Sequence, residues 1–134
     1  MNKDAYTKEV SPDVKKILFV EDDEFLRTLL LERLKKENLK ILVATNGNDA
    51  VDRAKNELTS LILLDLILAG KDGFQVLKEL KKGSTTSSIP VIILSNVGQK
   101  EDIEKGLALG AEDYLIKAEF TPAEIVEKIQ KVLN

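Results

Sequence analysis

The residues best suited to chemistry in this 134-residue chain are acids that follow short apolar runs. Asp65 is the only polar residue in the stretch 61–69, and Glu21 and Asp22 directly follow the apolar run 17–20. Removing a carboxylate from water costs free energy unless the group is paired or binds a metal ion. Taken separately, Asp65 could cap a turn, and the other two acids could favour a helix start through its dipole. Their positions in the fold must therefore decide between these structural roles and a functional site.

Apolar runs typical of strands alternate along the chain with segments of helical periodicity. Strands are predicted at residues 17–20, 41–43, 61–64, 91–94 and 114–116. A helix is predicted after each strand, with Asn46 as the cap of the second and Thr121-Pro122 as the start of the fifth. The predicted apolar stripes include Leu29 in the first helix, Leu58 in the second and Leu107 in the fourth, and residues 83–88 are predicted to form a loop.

The near-continuous apolar runs favour strands that are buried on both faces, as in a parallel sheet covered by helices. Right-handed crossovers then give a doubly wound α/β domain, in which ligands bind beyond the carboxyl ends of the strands. Five polar residues end strands and are expected at that edge: Glu21, Asp22, Asp65, Ser95 and Lys117.

This set of residues suits phosphoryl transfer. Three converging carboxylates repel one another, and a divalent cation relieves the repulsion. All-oxygen ligands favour Mg²⁺. Asp65 would be the nucleophile, Lys117 and the metal would balance charge on the transferred oxygens, and the Ser95 hydroxyl would bind one of them. The alternatives from the residues alone are a solvated lysine at 117 and a helix cap at 95.

Composition excludes several classes of protein. The chain has no Cys and no His, which removes thiolate chemistry, the common zinc sites, Ser-His-Asp catalysis and phosphohistidine. No apolar run approaches the ~20 residues of a membrane span, and the charged start lacks a signal peptide, so we expect a cytoplasmic protein with no membrane association. A net charge of −3 without a basic block argues weakly against direct nucleic-acid binding. We expect a flexible arm at 1–14 and one domain at 15–134.

Five motifs, in order and at the expected spacing, resemble those of a response-regulator receiver domain of two-component signalling, of the chemotaxis-regulator type. The motifs are Val20-Glu21-Asp22-Asp23, Leu64-Asp65-Leu66 with Gly70-Lys71-Asp72-Gly73-Phe74, Pro90-Val91-Ile92-Ile93-Leu94-Ser95, Gly110-Ala111, and Tyr114-Leu115-Ile116-Lys117. The resemblance implies a flavodoxin-like, three-layer fold with five helices and strand order 2-1-3-4-5.

The resemblance also implies roles at the matching positions. Asp65 would be the phosphoacceptor, and Mg²⁺ would be bound by Asp65, Asp22 and the backbone carbonyl of Ile67, with Glu21 acting through a water. Phosphate would come from a histidine kinase or a phosphotransfer protein. A receiver can also catalyse its own phosphorylation from small phosphodonors and its own dephosphorylation.

Three further residues would bind the phosphoryl group and transmit its presence. Lys117 would pair with the phosphoryl group, and Ser95 would bind it and move inward. Tyr114 would then turn with Ser95, which reshapes the face made by the fourth helix, fifth strand and fifth helix; its alternative is a plain half-buried strand aromatic. The output would be binding to a downstream protein or a phosphorylation-dependent homodimer.

Four residues depart from the family pattern. Ala118 stands where Pro, often after a cis bond, follows the lysine, and Ala69 stands where Pro is common. Glu21 replaces the more usual Asp, and Asn96 replaces a small apolar residue. Ala118 leads us to expect a loop before Phe120 that differs from the family pattern, and Asn96 leads us to expect a different path to the fourth helix.

Ile67 and Val97 lie at positions that tune dephosphorylation in receivers. Both are apolar here and cannot hold an attacking water. We therefore expect slow loss of the phosphoryl group.

The sequence leads us to expect a stand-alone switch without a DNA-binding or catalytic output domain. An adaptor that binds partners without phosphorylation is the main alternative. A phosphatase with an aspartyl nucleophile would want a second Asp at position 67, which is Ile. A flavodoxin-like cofactor binder would want a phosphate-binding loop where this chain has acids.

Overall fold

A single parallel sheet forms the centre of the protein. The computed structural model describes residues 14–68 and 70–134. Its strands are β1 (Lys15–Val20), β2 (Leu39–Ala44), β3 (Leu61–Leu64), β4 (Val91–Ser95) and β5 (Asp113–Ile116). They lie in the order β2-β1-β3-β4-β5, and every neighbouring pair is parallel. The predicted doubly wound sheet with order 2-1-3-4-5 is confirmed.

Helices follow each of the five strands. They are α1 (Glu24–Leu34), α2 (Gly47–Asn56), α3 (Gly73–Lys82), α4 (Lys100–Ala108) and α5 (Pro122–Leu133), with a 3₁₀ turn at Lys117–Glu119 before α5. The predicted caps are present: the Asn46 side chain accepts from the Asp49 N–H at 2.8 Å, and Thr121 and Glu124 exchange side chain to backbone bonds. Because these bonds satisfy N–H groups at the helix ends, they fix where α2 and α5 begin.

Alternate strand residues point to opposite faces of the sheet and form two apolar layers. Leu18, Ile62 and Leu64 pack on the side of α2, α3 and α4. Phe19 and Leu63 pack on the side of α1 and α5. This is the predicted three-layer sandwich, and its rigid strands carry the polar residues at their carboxyl ends.

Three leucines that we predicted in apolar stripes are exposed instead. Leu58 is 85% exposed because α2 ends at Asn56 and Glu57 is extended, so position 58 no longer follows the helical face. Leu29 and Leu107 are also exposed. The loop at 83–88 is more closely packed than its composition indicates, because Thr86 is buried and its hydroxyl donates to the Leu80 carbonyl at 2.6 Å.

Some expectations concern residues that the structure does not describe. The predicted arm lies outside the described residues except for Val14, and so does the departure at Ala69. Within the described part of the chain, no helix is both long and apolar enough to cross a membrane.

Candidate functional site

Backbone hydrogen bonds beyond the ends of the strands hold two acids at the carboxyl edge of the sheet. The Glu21 N–H donates to the Ala44 carbonyl at 3.0 Å, and the Asp65 N–H donates to the Val20 carbonyl at 3.1 Å. Each bond extends a strand ladder by one residue past β1 or β3. The sheet itself therefore fixes the backbone positions of Glu21 and Asp65, from which the two carboxylates extend.

Four predicted residues meet at this edge. Carboxylate oxygens of Glu21, Asp22 and Asp65 all lie within 4.8 Å of one another. Lys117 follows β5 and reaches across the sheet, so that its Nζ lies 2.9 Å from Asp65 Oδ2 and 2.9 Å from Glu21 Oε1. Glu21 and Asp65 are buried, whereas Asp22 is exposed. The cluster is thus a buried acid–lysine group with one acid open to solvent.

Burial and neighbouring charges shift the pKa values of Glu21 and Lys117. Burial raises the pKa of the Glu21 carboxyl, and repulsion from Asp65 adds to that rise, although Lys117 and the Asp23 N–H oppose it. Burial by itself lowers the pKa of the Lys117 amine, but its close contacts with the Glu21 and Asp65 carboxylates, and their negative charges, outweigh burial and hold that pKa above its usual value. Lys117 therefore stays an ammonium, and the cluster retains an excess of carboxylates.

The oxygen ligands of the cluster fit Mg²⁺. Glu21 Oε1 forms an ion pair with Lys117 Nζ at 2.9 Å, and within the described residues this buried oxygen accepts no hydrogen bond. Glu21 Oε2 accepts from the Asp23 N–H at 3.1 Å. Buried unsatisfied oxygens are uncommon, and Mg²⁺ prefers oxygen ligands and retains waters. The donor set of Glu21, Asp65 and the exposed Asp22 therefore suits a hydrated cation.

Ile67 lies at the rim of this site. Its N–H donates to Asp65 Oδ1 at 3.2 Å, so both Asp65 oxygens are held, one by this N–H and the other by Lys117. The Ile67 side chain is 61% exposed. The flank of the phosphoacceptor candidate is thus apolar and open to solvent.

Among the residues that the structure describes, the Ser95 and Tyr114 hydroxyls both bond to Val97 and neither bonds to the acid cluster. The buried Ser95 hydroxyl accepts from the Val97 N–H at 3.2 Å, and the Tyr114 hydroxyl donates to the Val97 carbonyl. Tyr114 is 8% exposed, and its burial, with the nearby Asp102 and Asp65 charges, raises its pKa to about 12. The neutral phenol therefore anchors the loop that follows Ser95.

The departure at Ala118 leaves Lys117 in place. No peptide bond among residues 14–68 and 70–134 is cis, and Lys117–Glu119 form the 3₁₀ turn. The Lys117 side chain still reaches both acids.

Sequence reasoning missed two residues that hold the acid cluster. Asp23 caps α1 with its side chain, and its N–H donates to Glu21. Arg27 lies in α1, and its Nη1 donates to the Glu21 carbonyl at 3.0 Å. One signal could have indicated Arg27: it lies close to the start of a helix, where the helix dipole does not favour a cation.

The family model described as "Response regulator receiver domain" matches residues 17–130. The chain belongs to this family. Receiver domains are phosphoacceptor signalling domains rather than classical enzymes; they take phosphate from histidine kinases and bind Mg²⁺ at an acidic site. The resemblance found in the motifs is therefore confirmed at the level of the family.

The relatives of this receiver include a longer regulator. The chain is 37% identical over 120 residues to the phosphate regulon transcriptional regulatory protein PhoB of Escherichia coli K12, an alignment that covers 90% of this chain and 52% of PhoB. The chain spans about half the length of the curated relatives it matches.

Solved structures of receivers share the whole fold. The BeF₃-activated receiver domain of Klebsiella pneumoniae RstA is 30% identical, with a TM-score of 0.81 and coverage of 90% of this chain and 99% of that one. The receiver domain of the sensor histidine kinase PA1611 from Pseudomonas aeruginosa PAO1 is 28% identical, with a TM-score of 0.80 and coverage of 90% and 98%. That structure has a magnesium ion coordinated in its active site cleft.

Proposed function

We propose that this receiver is a signalling switch that is phosphorylated on Asp65. The phosphate donor is a phosphohistidine on a partner histidine kinase or phosphotransfer protein, since this chain has no His. The observation that carries the proposal is the Asp65 carboxylate at the edge of the sheet, with Lys117 at 2.9 Å and the Glu21 and Asp22 carboxylates beside it. A helix cap or a solvated lysine would not need this arrangement.

The transfer uses groups that are already in place. An Asp65 oxygen attacks the phosphorus, the new P–O bond forms, and the P–N bond to the donor breaks with its electron pair going to the imidazole nitrogen. The Ile67 N–H and Lys117 hold the two Asp65 oxygens and so orient the carboxylate for attack. Lys117 then pairs with an oxygen of the transferred group, where its positive charge stabilises the product.

Asp22, Asp65 and the Ile67 backbone carbonyl are the groups that would hold Mg²⁺ directly, with Glu21 acting through a water. When bound, Mg²⁺ would neutralise charge on the transferred oxygens and on the crowded acids. The support for this assignment is the all-oxygen cluster, in which a single ammonium, Lys117, contacts two buried carboxylates and the exposed Asp22 carboxylate lies beside them.

Phosphorylation of Asp65 changes the protein surface by way of Ser95, Val97 and Tyr114. The Ser95 oxygen uses a lone pair to accept from Val97, which leaves the hydroxyl hydrogen for a phosphoryl oxygen. A shift of Ser95 toward that oxygen moves the Val97 peptide, and Tyr114 is bonded to the same residue. The face of α4, β5 and α5 then changes, and a downstream protein or a second copy binds it in this cytoplasmic signalling role.

Intact mass after incubation with Mg²⁺ and acetyl phosphate tests the proposal. We expect the parent to gain one phosphoryl group and Asp65→Asn to gain none. Asp52→Asn, an exposed acid on α2, is the matched control and should behave as the parent. A chelator should abolish the gain in the parent and in the Asp52→Asn control.

Other outcomes of the same experiment would overturn the proposal. A folded parent that gains no mass under any condition indicates the adaptor that binds partners without phosphorylation. Multiple turnover of a phosphomonoester would instead indicate a phosphatase, although Ile67 stands where such an enzyme would use an acid.

A further inference from the structure

Arg27 is the one arginine among the described residues whose side chain donates to the backbone of the acid cluster. It lies in α1, four residues after the N-cap Asp23, and it is half-buried. A cation this close to the positive end of a helix gains nothing from the helix dipole. A hydrogen bond to the chain just before the helix accounts for its position instead.

That contact holds the first peptide that leaves the sheet after β1. The Val20 carbonyl and the Glu21 N–H are bonded to β3 and β2 through Asp65 and Ala44. The next polar backbone group is the Glu21 carbonyl, which has passed the end of the ladder, and Arg27 Nη1 donates to it at 3.0 Å. Arg27 thus holds one more backbone group than the strand ladder does, at the point where the backbone turns from β1 toward α1.

The peptide held by Arg27 joins the two acids on this strand end. Within residues 14–68 and 70–134, no hydrogen bond reaches the Asp22 carboxylate, which is exposed. Its direction consequently depends on the backbone of the Glu21–Asp22 peptide. Glu21, in contrast, is fixed additionally by burial and by the Asp23 N–H.

We propose that Arg27 is a positioning residue for Mg²⁺ binding: its bond to the Glu21 carbonyl orients the Glu21–Asp22 peptide and so presents Asp22 to the cation. This inference rests on the proposed function. Two effects of the guanidinium oppose each other, because its positive charge repels Mg²⁺ while its hydrogen bond arranges the ligands. The positioning role therefore predicts that removal of Arg27 weakens Mg²⁺ binding, and a purely electrostatic role predicts that removal strengthens it.

Calorimetric titration with MgCl₂, without any phosphodonor, separates the two roles. We expect Arg27→Met to bind Mg²⁺ about 10-fold more weakly than the parent, the lower end of the effect of groups that orient metal ligands. Arg27→Lys, which keeps a donor on a slightly shorter stem, should lose less. Arg33→Met, at an exposed arginine in the last turn of the same helix, is the matched control and should bind as the parent.

Phosphorylation kinetics provide a readout that a general loss of structure would not produce. With acetyl phosphate, Arg27→Met should need about 10-fold more Mg²⁺ for half-maximal rate and should reach the parent's maximal rate at saturating Mg²⁺. Thermal unfolding in a chelator checks that the variant is folded. If Arg27→Met does not fold, Arg27→Gln, whose amide is too short to make the contact, takes its place.

Each result decides either this inference or the proposed function. Unchanged or tighter Mg²⁺ binding by the folded Arg27 variant overturns the positioning role, while phosphorylation of the parent on Asp65 upholds the switch. A parent that binds Mg²⁺ but is never phosphorylated overturns the switch and leaves the effect of Arg27 on the metal to be read directly. A parent that binds no Mg²⁺ overturns both.

Discussion

Two lysine–carboxylate contacts of nearly the same length behave in opposite ways in this protein. Lys71 Nζ lies 2.8 Å from Glu79 Oε2 on the surface near α3, and Lys117 Nζ lies 2.9 Å from Glu21 Oε1 at the carboxyl edge of the sheet. The contact with Lys71 lowers the pKa of Glu79. The pKa of Glu21 is raised despite its lysine.

Burial and the number of acids explain the difference. Glu79 is 33% exposed and shares its lysine with no other carboxylate among the described residues, whereas Glu21 is 1% exposed and shares Lys117 with Asp65. In the buried cluster, desolvation and repulsion between carboxylates exceed the attraction of one ammonium. A surface pair of this kind adds a little stability, whereas the buried cluster holds an excess of negative charge that a bound cation would offset.

Substitution of each lysine tests the difference between the buried cluster and the surface pair most directly. We expect Lys117→Met to lower the free energy of unfolding by about 3 kcal/mol in a chelator, because it leaves two buried carboxylates without a cation. Lys71→Met, which keeps the apolar stem of a partly exposed lysine, should cost at most about 1 kcal/mol. Urea unfolding of the two variants and the parent measures both values.

Saturating Mg²⁺ is the control for this prediction. It should recover part of the stability lost in Lys117→Met and none of that lost in Lys71→Met, because the metal ligands lie beside Lys117. Equal losses for the two variants in a chelator would show that the buried acids are solvated well enough to need no partner.

The elements that bring these acids together could be predicted from sequence better than their anchors. The runs at 61–64 and 91–94 were recognisable because strands buried on both faces need continuous apolar residues. Their carboxyl ends meet at one edge in any doubly wound sheet, so Asp65 and Ser95 could be placed without coordinates. The start of β1 at Lys15 was missed because polar residues at a strand end pair without an apolar signal.

The hydrogen bonds of Arg27 and Val97 show which contacts residue types hardly reveal. Each of these contacts involves a backbone atom. The Arg27 side chain donates to the Glu21 carbonyl, and the Val97 N–H and carbonyl bond to the Ser95 and Tyr114 hydroxyls. Backbone donors and acceptors are the same at every residue except proline, so such contacts leave little trace in residue types. The predicted burial of Leu58 was wrong for a related reason, because periodicity does not reveal that the helix ends at Asn56.

A second prediction concerns the rate at which water removes the phosphoryl group from Asp65. The phosphoryl group on Asp65 would stand beside Ile67, which is exposed but has no polar side chain to hold an attacking water. We expect Ile67→Asn to shorten the half-life of the phosphoprotein by about 3- to 10-fold, which is below the 10²–10⁴ of a full general base. Intact mass against time measures it, with Ile67→Val as the apolar control. An unchanged or longer half-life in Ile67→Asn would remove the assigned role of this position.

The smallest effect is expected at the surface pair and depends on pH. The Glu79 pKa is lowered in the folded protein, chiefly by the hydrogen bond from Lys71, so the folded state holds a proton on Glu79 less readily than the unfolded chain. The stability from this pair is therefore present above the unfolded pKa of 4.5 and is lost as the pH falls through the folded value.

Comparison of the parent with Glu79→Gln at two pH values isolates this contribution. Because water screens both partly exposed partners, the variant should be less stable than the parent by only about 0.5 kcal/mol at pH 7. At about pH 3, Glu79 is largely protonated in the unfolded chain and increasingly so in the folded one, so the difference should shrink toward zero. A difference that grows on acidification would mean that Glu79 behaves as Glu21 does, and that burial rather than its lysine sets its charge.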